Sequence, residues 1–253
     1  MPHLRSPAPS CCLGIIFALP IEAHSFERSV TGAVSYQGPS LRIWQGTCGD
    51  RSVAWAVSGV GEAAAARAAQ LIIDGHRPRR LVSAGFAGGL DSRLTRGKLV
   101  LPTRLLDGSG RQRPPLTIDR ELAEALVAEY PPCQTTLITV TEVVADVASK
   151  QALHQATGAG LVDMESYAVA EVAASAGLGA VVCRVISDAA NEALPREVKR
   201  LGRPQSTMHR LGAAIGAIGR RPRAVIDFWK LWEQSLAHSQ VLADGLGDLI
   251  RAV

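Results

Sequence analysis

Four clusters of carboxylate, hydroxyl and glycine residues fall where an apolar run ends. They are Glu22 behind Leu13–Leu19, Gly85-Phe86-Ala87-Gly88-Gly89 behind Arg80–Ser83, Asp163-Met164-Glu165 at a helix start, and Ser187-Asp188 behind Ala180–Ile186. Carboxylates so placed can move protons or hold hydroxyls, provided that the runs are strands of one sheet and the clusters share an edge. Taken singly, each has an ordinary explanation. A carboxylate at a helix start favours the helix dipole, Asp188 can cap a turn, Met164 can fill a core, and a glycine-rich stretch can be a turn. The GFAGG segment is neither GxGxxG nor a Walker loop, which speaks against dinucleotide and ATP sites.

The elements that must position these residues can be read from the pattern. Leu13–Leu19 is apolar without a break, as in a central strand covered on both faces. A short helix follows over Pro20–Ser29. Leu41–Gln45 and Ser52–Ser58 read as strands joined at Gly49-Asp50, and Ala-rich Glu62–Gly75 as a packed helix. Arg80–Ser83, Lys98–Pro102, Thr135–Thr141, Leu161–Val162 and Ala180–Ile186 complete the strands. Ile118–Glu129, Val147–Thr157 and Met164–Ala176 complete the core helices, the last stopped by Gly177. Strands alternating with helices predict an α/β fold: one three-layer domain with a mixed, mostly parallel central sheet flanked by helices, plus a C-terminal helix.

The bulk numbers bound the function. The chain has 253 residues, 47% hydrophobic and 20% charged, the balance of a globular protein with a core of its own. Five cysteines without a CxxC pair argue against a disulfide framework or a zinc site and fit a reducing cytoplasm. A net charge of +4 is too mild to imply nucleic acid. Leu13–Ile21 is too short to span a bilayer and lacks a small-residue cleavage site. The expected division is a loose tail at 1–12, a catalytic domain at 13–219 and an amphipathic helix at 220–253. Nine Lys/Arg residues lie between Arg196 and Lys230, opposed by Glu197 and Asp227. Near them Phe228, Trp229 and Trp232 cluster on the helix. Two readings follow for 220–251: a peripheral contact with an anionic membrane, or packing on the domain itself or on a second subunit.

Taken in order, LGIIFALPIE (Leu13–Glu22), SGVGE (Ser58–Glu62), SAGFAGGL (Ser83–Leu90), VDME (Val162–Glu165) and RVISDA (Arg184–Ala189) resemble the purine nucleoside phosphorylase / methylthioadenosine nucleosidase family. The ordered set carries the resemblance, over about residues 13–190. It implies an enzyme that breaks the bond between a purine and a ribose, with no metal or organic cofactor. Asp188 would protonate or hydrogen-bond the purine N7, which demands a carboxylic acid kept protonated near neutral pH, as burial can arrange. Met164 would pack on the sugar and Glu165 accept from its hydroxyls. Asp163 and Ser187 would support them, and Phe86, Ala87 and Gly88 would line the site. Glu22 would orient water in the hydrolytic branch. Phosphorolytic members instead need arginines around phosphate, and Arg28, Arg67 and Arg184 are the candidates. Inorganic phosphate therefore stays open as a co-substrate. The family often has serine where Phe86 stands.

The short Pro102–Thr117 segment, rich in Pro, Gly and Arg, departs from the ordinary methylthioadenosine nucleosidases, and Gly158–Ala173 (GAGLVDMESYAVAEVA) and Arg220-Arg221-Pro222 resemble the hopanoid-associated phosphorylases within that family. This implies adenosylhopane as substrate, adenine as product, a role in hopanoid biosynthesis, and a cytoplasmic homo-oligomer, peripheral at the inner membrane face if the tail meets lipid. The alternatives are a soluble methylthioadenosine/adenosylhomocysteine or futalosine-type nucleosidase, and a purine-binding module without catalysis. Intact Glu22, Glu165 and Asp188 oppose the last.

Overall fold

Every side chain of β1 (Leu13–Phe17) is buried, and they divide between two layers. Leu13, Ile15 and Phe17 enter a core with Ala23, Phe26, Trp55 and Val82, while Ile16 joins Ala65, Ala69, Ile72 and Val182 on the other face. Alternation of this kind is what a strand imposes. An unbroken apolar run is what helices on both faces require. The computed structural model describes residues 11–38, 40–109, 116–117, 135–194 and 222–252, the last segment with side chains from residue 234.

β1 lies between β4 (Arg51–Val57) and β5 (Arg80–Gly89), parallel to both. β5 also runs parallel to β11 (Gly179–Asp188), and its last two residues pair antiparallel with β10 (Leu161–Asp163). Beyond β10 come β9 (Thr136–Thr139) and β7 (Arg104–Asp107), both parallel neighbours. β2 (Thr31–Gln37), β3 (Arg42–Cys48) and β4 form an antiparallel meander at one edge. β8 (Leu116–Thr117) and β6 (Leu99–Val100) add antiparallel pairs to β7 and β11. Among the described residues the result is an eleven-stranded mixed sheet with a parallel centre.

One face is covered by α2 (Glu62–His76) and α4 (Ser166–Ser175) through Ala65, Ala68, Ala69, Ile72, Val169 and Ala173. α2 lies so close that a Cβ on Gly14 would sit 2.5 Å from Ile72 Cγ2. The opposite face carries α1 (Pro20–Ser29), with proline at the first helical position where no N–H is needed, and α5 (Pro222–Arg251). α3 (Val147–Thr157) runs from an Asp146 cap to Gly158 in the left-handed region.

Several expectations shift. The glycine-rich stretch expected as a loop is the second half of strand β5. β2 had no apolar signal because all seven of its residues are exposed. Cys11 and Cys12, assigned to a loose tail, are tied in through Cys11 N–H to His76 O (3.2 Å) and Cys12 N–H to Ser52 O (2.8 Å). The helix expected over 118–129 lies outside the described residues. In α5 the face bearing Leu242, Ala243, Leu246, Leu249 and Ile250 is buried with Ala23 and Phe26 of α1, so that stretch packs on its own domain. The side chains of Phe228, Trp229 and Trp232 lie outside the described residues. No described helix is long and apolar enough to cross a membrane.

Candidate active site

Glu22, at the third position of α1, accepts the backbone N–H of Leu19 (2.8 Å), half of a capping box. The same oxygen takes Ala18 N–H at 2.9 Å, and the other takes Phe86 N–H at 2.8 Å. The carboxylate is therefore a helix cap and a bridge to β5 at once. Burial pushes Glu22 up from the ordinary carboxylate range, against the pull of Arg184 and the three N–H donors. Gly85 makes this approach feasible: a Cβ there would sit 2.6 Å from Glu22 Oε1 and 3.1 Å from Arg184 Nη1.

Arg184, on β11 opposite Gly85, is the centre of this half. Its Nη2 donates to Asp163 Oδ2 (2.7 Å), Ser83 Oγ (2.7 Å) and Ser166 Oγ (2.9 Å), and its Nε to Asp163 Oδ2 (3.0 Å). Asp163 also receives Thr139 Oγ1 (2.7 Å) and Ser166 N–H (3.1 Å). It orients the guanidinium rather than facing open space. Glu165 accepts Gly61 N–H at 2.8 Å. Burial, with the Asp163 carboxylate second, pushes Glu165 up to about 8, against the pull of Arg184. The shift favours the protonated carboxyl, which can donate as well as accept. Half-buried Met164 adjoins it.

The other half lies three residues along the same strand pair. The register of β5 and β11 slips between Ile186 and Asp188, which brings Asp188 opposite Gly88. A slip of this kind re-aims side chains at a strand end. Ser187 Oγ lies 2.5 Å from Asp188 Oδ1 and 3.2 Å from Ala87 O. Asp188 Oδ2 is ion-paired with Lys150 Nζ, both groups buried. From Gly85 to Gly88 a strand advances about 10 Å, which sets the two polar centres apart along β5. Phe86 contributes its N–H to Glu22, while its ring meets His238 of α5 edge-on at 5.7 Å. That ring serves the contact between β5 and α5, so its inability to hydrogen-bond takes nothing from the Glu22 site.

Glu22, Asp163, Met164, Glu165, Phe86, Ala87, Gly88, Ser187 and Asp188 thus share one edge of the sheet. Sequence reasoning missed Lys150 altogether, and it left Arg184 only as a phosphate candidate. Lys150 had a signal. Val147, Lys150, His154 and Thr157 share one face of α3 by spacing, and of these only Lys150 is fully buried. Among the described residues no cluster of three or more His, Cys, Asp or Glu side chains is arranged for a metal.

The family model of the Phosphorylase superfamily matches residues 13–218. The chain belongs to this superfamily. It is accordingly an enzyme of the nucleosidase and phosphorylase type. The 5'-methylthioadenosine/S-adenosylhomocysteine nucleosidase of Shewanella sp. (strain MR-7) is 27% identical over 203 residues, covering 72% of this chain and 86% of its own. Among solved structures, the corresponding nucleosidase of Neisseria meningitidis, in complex with methylthio-immucillin-A, superposes with a TM-score of 0.75 at 17% identity. It covers 96% of this chain and 99% of its own. Futalosine hydrolase of Helicobacter pylori gives 0.74 at 16% identity, over 96% and 98%. At these identities the superpositions speak for the fold.

A consequence for stability follows from Glu165. Its pKa is higher folded than unfolded, so its contribution is complete below about 4.5 and is lost as pH rises towards 8. Glu22 is shifted in the same direction. Calorimetry from pH 5 to 8 should show Tm falling, and Glu165→Gln should flatten that fall. An equal slope in the variant would remove Glu165 as its source.

Proposed function

We propose that this enzyme hydrolyses the N-glycosidic bond of an adenine nucleoside. Asp188 and Ser187 meet the base edge, Glu165 and Met164 hold the ribose, and Glu22 orients the attacking water. The observation that carries water over phosphate is the state of Arg184. It is the cation facing both Glu22 and Glu165; its Nε and Nη2 donate to Asp163, Ser83 and Ser166, and its Nη1 turns to Cys183 O at 3.4 Å. A phosphate would have to draw it away from a carboxylate. A water needs only an acceptor, which Glu22 supplies beside three fixed backbone N–H groups. As C1′ gains positive charge, the ionised form of the neighbouring carboxyl groups is favoured in turn and stabilises it.

For the 5′ side we propose a polycyclic lipid, so that the substrate is adenosylhopane and the pathway hopanoid biosynthesis. The support is the resemblance of Gly158–Ala173 and Arg220-Arg221-Pro222 to the hopanoid-associated branch. A cytoplasmic homo-oligomer that touches the membrane through the first turns of α5 belongs to the same reading. A soluble methylthioadenosine/adenosylhomocysteine or futalosine-type nucleosidase is the second reading, favoured by the activities named for the relatives.

Product analysis tests both. Incubated with adenosine-type substrates with and without phosphate, the enzyme should release adenine and a free sugar at the same rate. A sugar 1-phosphate and a requirement for phosphate would replace hydrolysis by phosphorolysis. Rapid release from methylthioadenosine, with none from a lipid-linked adenosine, would replace the lipid reading by the second one.

A further inference from the structure

Arg96 joins distant parts of the chain at one guanidinium. Its Nε and Nη2 reach Glu192 Oε2 at 3.0 and 2.8 Å, and its Nη1 donates to Gln234 Oε1 of α5 at 2.7 Å. Glu192 closes the turn that follows Asp188. Its Oε2 also takes Ala189 N–H (2.8 Å), and its own N–H donates to Ala189 O (3.0 Å). The carbonyls of Ala189 and Glu192 accept from Lys150 Nζ at 2.7 and 2.8 Å. The backbone beside Arg96 is fixed to the same strand: Gly97 N–H donates to Ile186 O (2.8 Å), and Ile186 N–H to Lys98 O (3.0 Å). The turn is therefore gripped by α3 on one side and by Arg96 on the other, and Arg96 leans on α5.

α5 is seated against the other polar centre as well. One turn after Gln234, His238 meets the Phe86 ring, and Phe86 N–H holds Glu22. Ser239 is buried; its Oγ accepts Ser25 N–H of α1 at 3.0 Å and donates to Glu22 O at 3.5 Å. Gln234, His238 and Ser239 fall within two turns, so one helix spans the supports of both Glu22 and Asp188.

We infer that Arg96 is a positioning residue for the reaction: by tying Glu192 to Gln234, it makes α5 part of the frame that aims Asp188. The inference rests on the reading that Asp188 meets the base. Arg96 touches no reacting atom and acts through the 189–192 turn. The Arg96 and Glu192 side chains are 34% and 39% exposed, and a pair so open to water contributes little to stability. Its effect is geometric. A turn held at both ends leaves Asp188 one direction to point, and a misplacement of about 1 Å in such a group costs about a hundredfold in rate.

The test measures kcat, KM and Tm for Arg96→Met and Gln234→Leu, each alone and combined with Asp188→Asn. The substrate is adenosine, or adenosine carrying the preferred 5′ group. Arg96→Met should lower kcat by about ten- to a hundredfold. KM should stay within about twofold, since the aim of Asp188 matters as the base departs. Gln234→Leu leaves Arg96 its Glu192 partner and should lower kcat by less. Tm should fall by less than about 4 °C in either variant. In the Asp188→Asn background neither change should lower kcat further, because residues that act through Asp188 then have nothing left to aim. A wild-type kcat in Arg96→Met or in Gln234→Leu overturns the proposal. So does the same fold loss repeated in the Asp188→Asn background, or a loss of kcat that only follows the fraction unfolded. Gln234 is exposed, so Gln234→Leu carries the test should Arg96→Met fail to fold. Failure of the underlying reading looks different. A normal rate in Asp188→Asn removes Asp188 from the base, whereas a slow Asp188→Asn beside a wild-type rate in Arg96→Met removes only this inference.

Discussion

Asp188→Asn is expected to lower kcat on an adenine nucleoside by about 10²–10⁴, the usual contribution of a positioned acid or base. It should also destabilise the fold. The substitution keeps the shape of the side chain, but an amide can neither take up and pass on a proton at the base edge nor balance a buried ammonium. Lys150 would keep two carbonyl partners and lose its counter-ion. Breaking a buried pair from one side costs about 3–5 kcal/mol. The two effects separate in a double variant. Adding Lys150→Met to Asp188→Asn removes the stranded charge, so Tm should recover while turnover stays low. Steady-state assays with scanning calorimetry on the single and double variants check this. If activity returns with Tm, Asp188 matters for folding and not for the reaction. If Tm of the single variant is unchanged, the ion pair contributes nothing to the fold.

The need for that double variant shows how far the sequence could be read. Asp188 was legible as an ionisable group behind an apolar strand, with burial as its expected environment. Its partner was not, because Lys150 lies 38 positions away inside a helix that otherwise looks solvated. Nothing in local pattern says that a lysine points inward. Glu22 was legible for the same reason as Asp188, its place after the first apolar run. Its double use as helix cap and bridge to Phe86 N–H depends on the pairing of β1 with β5. The Gly85–Gly89 stretch was noticed for the right residues and given the wrong structure. Glycines are common in turns, yet here they let a strand run beside side chains that a Cβ would strike. Gly85 makes room for Glu22 and Arg184, and Gly88 lies against Asp188 and Val162. The three layers were legible because β1, β5 and β11 are apolar on both faces. β2 was not, because a strand exposed along its length carries no periodic signal.

Arg184→Met is expected to be the most destabilising single change in the site. The guanidinium is buried, and burial works against its charge. The carboxylates of Asp163, Glu165 and Glu22 outweigh that cost. Replacing Arg184 by an apolar side chain of similar length leaves three buried carboxyl groups facing one another. Asp163 would keep only Thr139 Oγ1 and the Ser166 N–H. The expected loss is about 3–5 kcal/mol, which for a chain of this size lowers Tm by roughly 6–20 °C. Lysine is not an equivalent substitute, because Nε and Nη2 both reach Asp163 Oδ2 while Nη2 also serves two serines, a planar fork that one ammonium cannot reproduce. Adding Asp163→Asn should restore part of the loss by removing the carboxylate nearest the vacated space. The sign with pH follows from the same charges. Without the guanidinium the carboxylates have more to gain from protons, so Arg184→Met should lose more of its stability than the wild type as pH rises from about 5 to 8. Thermal unfolding of wild type, single and double variants across that range checks all three statements. A single variant with the Tm of the wild type would mean that the carboxylates are held apart by their hydroxyl and N–H partners alone. Arg184 would then be free for another task, and the phosphate that the hydrolytic reading excludes would regain its most suitable ligand.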